Sequence, residues 1–307
     1  MKRLNSLKAL AIVFLLVSFS TAAVSANGRA GQETAKPSAV QLPSIPPREL
    51  IQRVINNELK ASQEDNTHYM YEDRRQTASG SKTKMMVETT QGTVAYLLAV
   101  NDKPLDAQQR TDENQRLKLL LSSAEQQNKK KKEQQQDNDR VARMFKQLPN
   151  AFIYKYDGMI PGNNGHEWVK LTFEPDANYD PPSREAAVFK AMSGTMVVDP
   201  TSERLAKIQA TLFKDVNFGW GILGHLDKGG HFFVEQNNIG DDRWEPTYMN
   251  IEFTGKALLF KTISLHQIES TSDYVRVPDN LTLAQGVEML RKHADGVLAE
   301  NTPGGKK

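Results

Sequence analysis

Cysteine is absent from all 307 residues. That excludes a disulfide framework, a thiol nucleophile and lipid attachment through sulfur, so the fold must be held by its own core. An excess of one charge is missing too: Lys and Arg total 39 against 37 Asp and Glu, a formal +2. No global field therefore argues for nucleic acid or an anionic membrane as partner. Long apolar runs are absent beyond the N-terminal "ALAIVFLLVSF", which is itself too short to span a bilayer. No G-x-S-x-G elbow occurs, and Ser79-Gly80-Ser81 and Ser193-Gly194-Thr195 read as turns between strands. Helical H-x-x-x-H spacing is also missing.

What is present begins with an address. Met1-Lys2-Arg3, the apolar run and then Val24-Ser25-Ala26 follow the basic, hydrophobic and A-x-A order of a secretory signal peptide over residues 1–26. The sequence thus predicts an exported protein, in the periplasm, starting at Asn27 and without a transmembrane span after cleavage. Residues 27–43 lack an apolar period and read as a disordered spacer. The remainder predicts one β-rich domain over residues 44–299, with a frayed tail at 300–307.

Within that domain, Ser44 and the prolines at 46 and 47 suit a helix start, and Leu50, Ile51, Val54, Ile55 and Leu59 form one apolar stripe. "HYMYEDRRQ", "KTKMMVETTQ" and "TVAYLLAVNDKPL" then predict an antiparallel meander. An inserted helical segment is expected at about 106–148, as one long helix or two in a hairpin. Its ends are apolar, through Leu117, Leu120 and Leu121 and through Val141, Met144 and Phe145. Its middle carries Lys129 to Lys132 balanced by Glu125, Glu133, Asp137 and Asp139, which is a solvated face. Short β-prone runs punctuated by "DGMIPGNNG", "DPTSE", "DKGG" and "IGDD" follow, with a short helix over Ser183–Met192 and an amphipathic helix over Leu281–Leu298. The expected class is α+β: a strongly curved antiparallel sheet, an incomplete barrel, with helices packed on one side and a long polar helix or helical hairpin.

One stretch concentrates chemistry: "FGWGILGHLDKGGHFFVEQ", residues 218–236. Gly219, Gly221 and Gly224 spell G-x-G-x-x-G, but Gly229-Gly230 break the helix a phosphate cradle requires. Lys228-Gly229-Gly230 reads instead as a hairpin turn. Across such a hairpin His225 and His231 approach each other, and with Glu235 they form a legal zinc set for a metal-assisted hydrolase. The bland reading of the same residues is polar decoration of a strand face. Asp180, Glu185, Asp199 and Glu203 each sit where turns and helix starts favour acids. No catalytic residue, metal or cofactor is expected as the main reading.

Apolar alternation recurs more strongly. Ala206, Ile208, Ala210 and Leu212 share one predicted strand face, and Phe218, Trp220, Phe232, Val234, Met249, Ile251 and Phe253 continue it. Such a face is either packed core or the wall of an apolar groove. "GTMVVDPTSERLAKIQATL", after a signal peptide, a helix and a meander, is similar to the outer-membrane lipoprotein-sorting and carrier superfamily. Uncharacterised exported bacterial proteins of this half-barrel group resemble the chain over "LPNAFIYKYDG", "LTFEPDANYDPPS" and "DVNFGWGILGHLDKGGHFFVEQ", between Leu148 and Leu265. The resemblance implies an incomplete barrel that takes lipid acyl chains into its hollow. The alternating apolar face, not the resemblance, makes Ile208, Leu212, Phe218, Trp220, Phe232, Val234, Met249, Ile251 and Phe253 the expected groove, with lipid or an acylated protein as the expected partner. The chain departs from the short carriers by its Gln/Lys-rich helix. A hydrolase using His225, His231 and Glu235, and a structural or partner-binding envelope protein, are the alternatives.

Overall fold

The structure is a computed structural model that describes residues 42–218, 224–257 and 261–301. The expected signal peptide, all but two residues of the spacer and the expected tail from residue 302 lie outside the described residues. In chain order the elements are α1 (Pro47–Glu64), β1 (His68–Thr77), β2 (Gly80–Thr89), β3 (Gly92–Val100), β4 (Lys103–Pro104), α2 (Ala107–Ser122), α3 (Ala124–Phe145), α4 (Leu148–Ala151), β5 (Phe152–Pro161), β6 (Glu167–Pro175), β7 (Met192–Asp199), β8 (Arg204–Leu212), β9 (Val216–Phe218), β10 (Gly224–Leu226), β11 (His231–Asn238), β12 (Trp244–Ala257), β13 (Lys261–Val277) and α5 (Leu283–Asn301). The described residues fall into two compact units, one of 64–137 with 269–301, the other of 42–63 with 138–268. The chain passes from one unit to the other inside α3 and inside β13.

In the first unit the strand order is β4-β3-β2-β1-β13. The meander expected from alternation closes through two-residue turns, with Thr77 opposite Gly80, Thr89 opposite Gly92 and Val100 opposite Lys103. Asn101 and Asp102 take φ of 51° and 57°, the paired left-handed conformation that matches strand twist in a tight hairpin. The insertion is two helices broken at Ser123, and Asp106 starts the first with a reciprocal box to Gln109. Leu117 and Leu120 of α2 and Val287 and Leu290 of α5 bury Met85, Val87, Val94 and Tyr96. Helix α5 lies close on the sheet: a Cβ at Gly286 would stand 2.7 Å from Thr89 Cγ2.

In the second unit the order is β13-β12-β11-β8-β7-β6-β5, with β9 and β10 paired beside β12. Strands β4 and β5 are terminal and the sheet does not close, so the fold is α+β on an open antiparallel sheet, as an incomplete barrel requires. The stripe of α1 joins one buried cluster with Val169 and Leu171 of β6, Met196 and Val198 of β7, Leu205, Ile208 and Leu212 of β8, Phe232 and Val234 of β11 and Met249, Ile251 and Phe253 of β12. Phe145, Leu148 and Phe152 close it at the chain's return from α3. Helix α1 is also tied by charge: Glu58, 0% exposed, accepts from Arg204 Nε at 2.9 Å, Arg204 Nη2 at 3.0 Å and the Leu205 amide at 3.0 Å. The short helix expected at Ser183–Met192 is a tighter 3-10 turn over Glu185–Ala191, with Ser183 Oγ accepting from the Ala186 amide.

Two local expectations are corrected. Ala206 does not share the face of Ile208. A bulge sets Val197 opposite Lys207 but Val198 opposite Leu205, leaving Ala206 as the extra residue. Leu205 takes the main-core position, and Ala206 packs with Trp168, Val197 and Trp244. Nor is Lys228-Gly229-Gly230 a hairpin. Strands β9 and β10 pair antiparallel with each other, so β10 already runs opposite to β9 before Lys228 is reached. His231 faces Thr211 and Gly224 faces Phe218 in one continuous register, while against β12 the step from Leu226 to His231 runs opposite only Gly255 to Glu252. The excess residues form a corner that bends the strand. Gly229 has φ of 92° there, and a Cβ on Gly230 would meet the Phe253 ring at 2.5 Å.

Candidate functional site

The expected groove residues occupy three neighbouring strands. Ile208 and Leu212 lie on β8, Phe232 and Val234 on β11, and Met249, Ile251 and Phe253 on β12. Register sets them in rows across the sheet: Ile208, Val234 and Met249 in one, Ala210, Phe232 and Ile251 in the next. Gly230 bonds Leu212 through its carbonyl at 2.8 Å, and the Phe253 ring fills the space its missing side chain leaves. All seven side chains are at most 2% exposed and share the cluster with α1. Phe218 is half-buried against the same cluster. Trp220 lies outside the described residues.

His225, His231 and Glu235 are not brought together as metal ligands. His225 on β10 pairs its Nε2 with Asp227 Oδ1 at 3.1 Å, and Glu235 on β11 pairs with Lys207 at 3.4 Å. His231 Nδ1 stands 3.4 Å from the Gly229 carbonyl oxygen. The hairpin that would have juxtaposed the imidazoles is replaced by the corner, which sets them along one strand line. Among the described residues no group of three His, Asp or Glu is placed to hold a metal ion.

A different site was not singled out from the sequence. The β5-β6, β7-β8 and β11-β12 turns stand side by side at one end of the sheet and flank a half-open cavity of about 810 Å³. The first turn supplies Asn163 and His166, the second Asp199, Thr201 and Ser202, the third Asn238 and Asp242. Trp168, Trp244, Arg204 and Asn237 complete the lining. The two indoles are 3% and 6% exposed, with ring centroids 6.3 Å apart at 53°. Alternation puts Trp168 and Val197 on the opposite face from Val169 and Val198, so this is a second apolar centre behind the main core. Trp168 is held in place because the bare backbone of Gly162 lies on its ring, where a Cβ would stand 2.6 Å from three ring atoms. The turns are wired together: Asn163 Nδ2 donates to Asn237 Oδ1 at 2.6 Å, and Asn237 Nδ2 to Thr247 Oγ1 at 2.6 Å. Asp199 fixes the second turn by accepting from Thr201 N and Ser202 Oγ. Gly240, Asp241 and Asp242 run consecutively at positive φ of 116°, 52° and 55°. One signal could have found the site: Trp168 sits where alternation in "HEWVKLTF" calls for a polar residue.

The first unit carries a separate group of charges around one buried carboxyl, Asp73. Asp73 on β1 lies opposite Lys84 on β2, and Arg75 pairs with Glu269 on β13 at 2.9 Å. Asp73 Oδ1 and Arg75 Nε are buried atoms without a hydrogen-bond partner among the described residues. Burial first, then the Glu269 carboxylate, push the Asp73 carboxyl up to about 6, against Arg75 and Lys84 and with a smaller push from Glu72. Burial, then Arg75, hold the Lys84 ammonium below its usual value. The folded chain thus holds the Asp73 proton more tightly than the unfolded chain does. Stability falls as pH rises from the ordinary 3.8 through about 6, by on the order of 1–3 kcal/mol. Asp73→Asn is expected to melt higher than the wild type above pH 7, with the gap closing below pH 4; thermal melts across that range check it, and a gap independent of pH would refute the assignment.

No protein-family model matches the sequence, and no curated protein matches it. Among solved structures, the chain is similar to an outer membrane lipoprotein-sorting protein domain from Vibrio parahaemolyticus, at 12% identity and a TM-score of 0.28, over 78% of this chain and 99% of that one. Among the described residues no helix is long and apolar enough to cross a membrane.

Proposed function

We propose that the protein is an exported, non-catalytic binder or carrier of an apolar ligand, a lipid or the acyl chain of an acylated protein, held in the hollow of the second unit's sheet beneath α1. The observation that carries this reading is the pair of ordered apolar rows across β8, β11 and β12, whose buried partners include the amphipathic helix α1, tied by the buried pair of Glu58 with Arg204 and at its surface by Arg48 to Asp176 and by Arg53 and Asn57 to Glu203. Magnitudes favour exchange. The five apolar side chains of the α1 stripe contribute about 8–15 kcal/mol by burial, and an acyl chain of about 14 methylenes contributes about 11. A ligand of that size can replace the helix at little net cost. Helix α1 then acts as the lid, and Ile208, Val234, Met249, Phe232, Ile251 and Phe253 line the chain.

The lack of native cysteine allows a clean test. Asn57 Nδ2 lies 3.4 Å from the Glu203 carbonyl oxygen, so Asn57→Cys with Glu203→Cys would staple α1 to the β7-β8 turn when oxidised. The reduced variant is expected to bind the fluorescent fatty acid cis-parinaric acid saturably. The oxidised form is expected to lose that binding and regain it on reduction. Equal binding in both states, together with protein purified from the periplasm free of lipid by native mass spectrometry, would refute the carrier. N-terminal sequencing of the periplasmic protein should begin at Asn27.

A further inference from the structure

The cavity between the three turns is separate from the apolar hollow, and its chemistry selects another ligand. Its volume of about 810 Å³ falls in the range of small-molecule sites, and its lining is unsuited to a hydrocarbon. Neither Trp168 nor Trp244 finds an acceptor for its indole N–H among the described residues, although both are more than nine-tenths buried. Neither nitrogen is among the fully buried polar atoms left unpaired, so each N–H keeps some contact with solvent and is available to a ligand. Asn238 uses only its oxygen, which accepts from the Gly240 amide at 2.9 Å; its two amide donors have no partner among the described residues.

Charge narrows the class further. Asp199 and Asp242 bring two carboxylates to the wall, and the one guanidinium in the lining, that of Arg204, is engaged by both oxygens of Glu58. An anion such as phosphate would meet net negative charge. A metal cation lacks a set of ligands, since no three His, Asp or Glu are grouped for one among the described residues. What remains is a neutral molecule rich in both donors and acceptors with apolar C–H faces. Amide donors, carboxylate and hydroxyl acceptors and indoles at the base are suited to that combination. Consecutive left-handed residues at Asp241 and Asp242 add a rim whose shape is held against local strain.

We propose that this cavity binds a neutral carbohydrate. The protein contains three tryptophans, and the two besides Trp220 both line the cavity. In a Trp220→Phe background, intrinsic emission therefore reports on this site alone. Titration of that protein with chitotriose and with maltotriose is expected to shift the emission saturably for one of them. Saturation-transfer NMR on the wild type should show transfer to the same sugar. His166→Ala with Asn238→Asp, which keeps the oxygen that accepts from Gly240 but removes the amide donors, should weaken binding about tenfold or more, by loss of hydrogen bonds to the ligand, with an unchanged melting temperature and unchanged cis-parinaric acid binding. No saturable response to either sugar at about 10 mM, an unaltered affinity in the double variant, or displacement of the sugar by inorganic phosphate would each overturn the proposal. Each of these leaves the apolar-ligand reading standing, because that reading is measured with a different probe.

Discussion

An Arg204→Met variant is expected to lose about 3–5 kcal/mol of stability, read as a lower urea midpoint at an unchanged slope. The cost arises at Glu58, not at the arginine. Its carboxylate is fully buried and takes two hydrogen bonds from Arg204 and one from the Leu205 amide. Removing the guanidinium leaves an ionised group in a dry place with a single donor. Replacing both partners, Glu58→Leu with Arg204→Met, removes the charge together with its partner and should recover most of the loss. A single variant that loses under about 1 kcal/mol would behave like an exposed pair and so contradict the burial. The double variant also separates two roles of the latch. If Glu58 and Arg204 hold the lid shut, that variant should take up cis-parinaric acid faster at near-normal stability.

The second large effect is expected at Phe152, where Phe152→Ala should cost about 3–5 kcal/mol. Phe152 is 1% exposed, and its ring meets Phe173 at 4.8 Å, Phe189 at 5.4 Å and Tyr154 at 6.2 Å, each at a steep angle. Edge-to-face pairs add to the burial term, and three rings around one leave little room for collapse into the gap. Phe152→Leu should lose markedly less, because most of the volume is kept. Chemical denaturation of both variants checks the ratio; equal losses would mean that ring geometry, and not volume, dominates. Tyr154 belongs to the same group, and its hydroxyl donates to the Leu148 carbonyl at 2.7 Å, which ties α4 to β5.

Strand and helix identities were legible in the sequence wherever period and turn chemistry agreed. Leu50, Ile51, Val54, Ile55 and Leu59 form the buried stripe of α1, and Gly80 and Gly92 close hairpins as their residue types suggest, whereas the run "TVAYLLAVNDKPL" is one expected strand that the structure breaks with a turn at Asn101-Asp102. The strands of the second unit lie close to the β-prone runs, and seven of the nine expected groove residues fall in one cluster. What could not be read were departures from strict alternation. The bulge at Ala206 exchanges it with Leu205 at the core face, and nothing in "SERLAKIQ" marks the extra residue. Gly229-Gly230 has the composition of a hairpin but serves as a corner, because β10 already runs opposite to β9. The His225 and His231 pairing failed for that reason. The carbohydrate cavity escaped notice because its residues come from three turns far apart in sequence, each of which looks like ordinary turn chemistry alone. Only strand order makes those turns neighbours.

The buried Glu58–Arg204 pair joins positions 146 residues apart. A synthesised or threaded chain therefore exposes the oily stripe of its first helix long before the strands that shelter it exist. Closing so wide a loop is entropically slow, and contacts of this range tend to form late. The charged latch itself can form only once β8 is made, although Val169 and Leu171 of β6 offer the stripe partners earlier. The same delay leaves that stripe open to holding chaperones, and a chain cut short before residue 204 should remain with them.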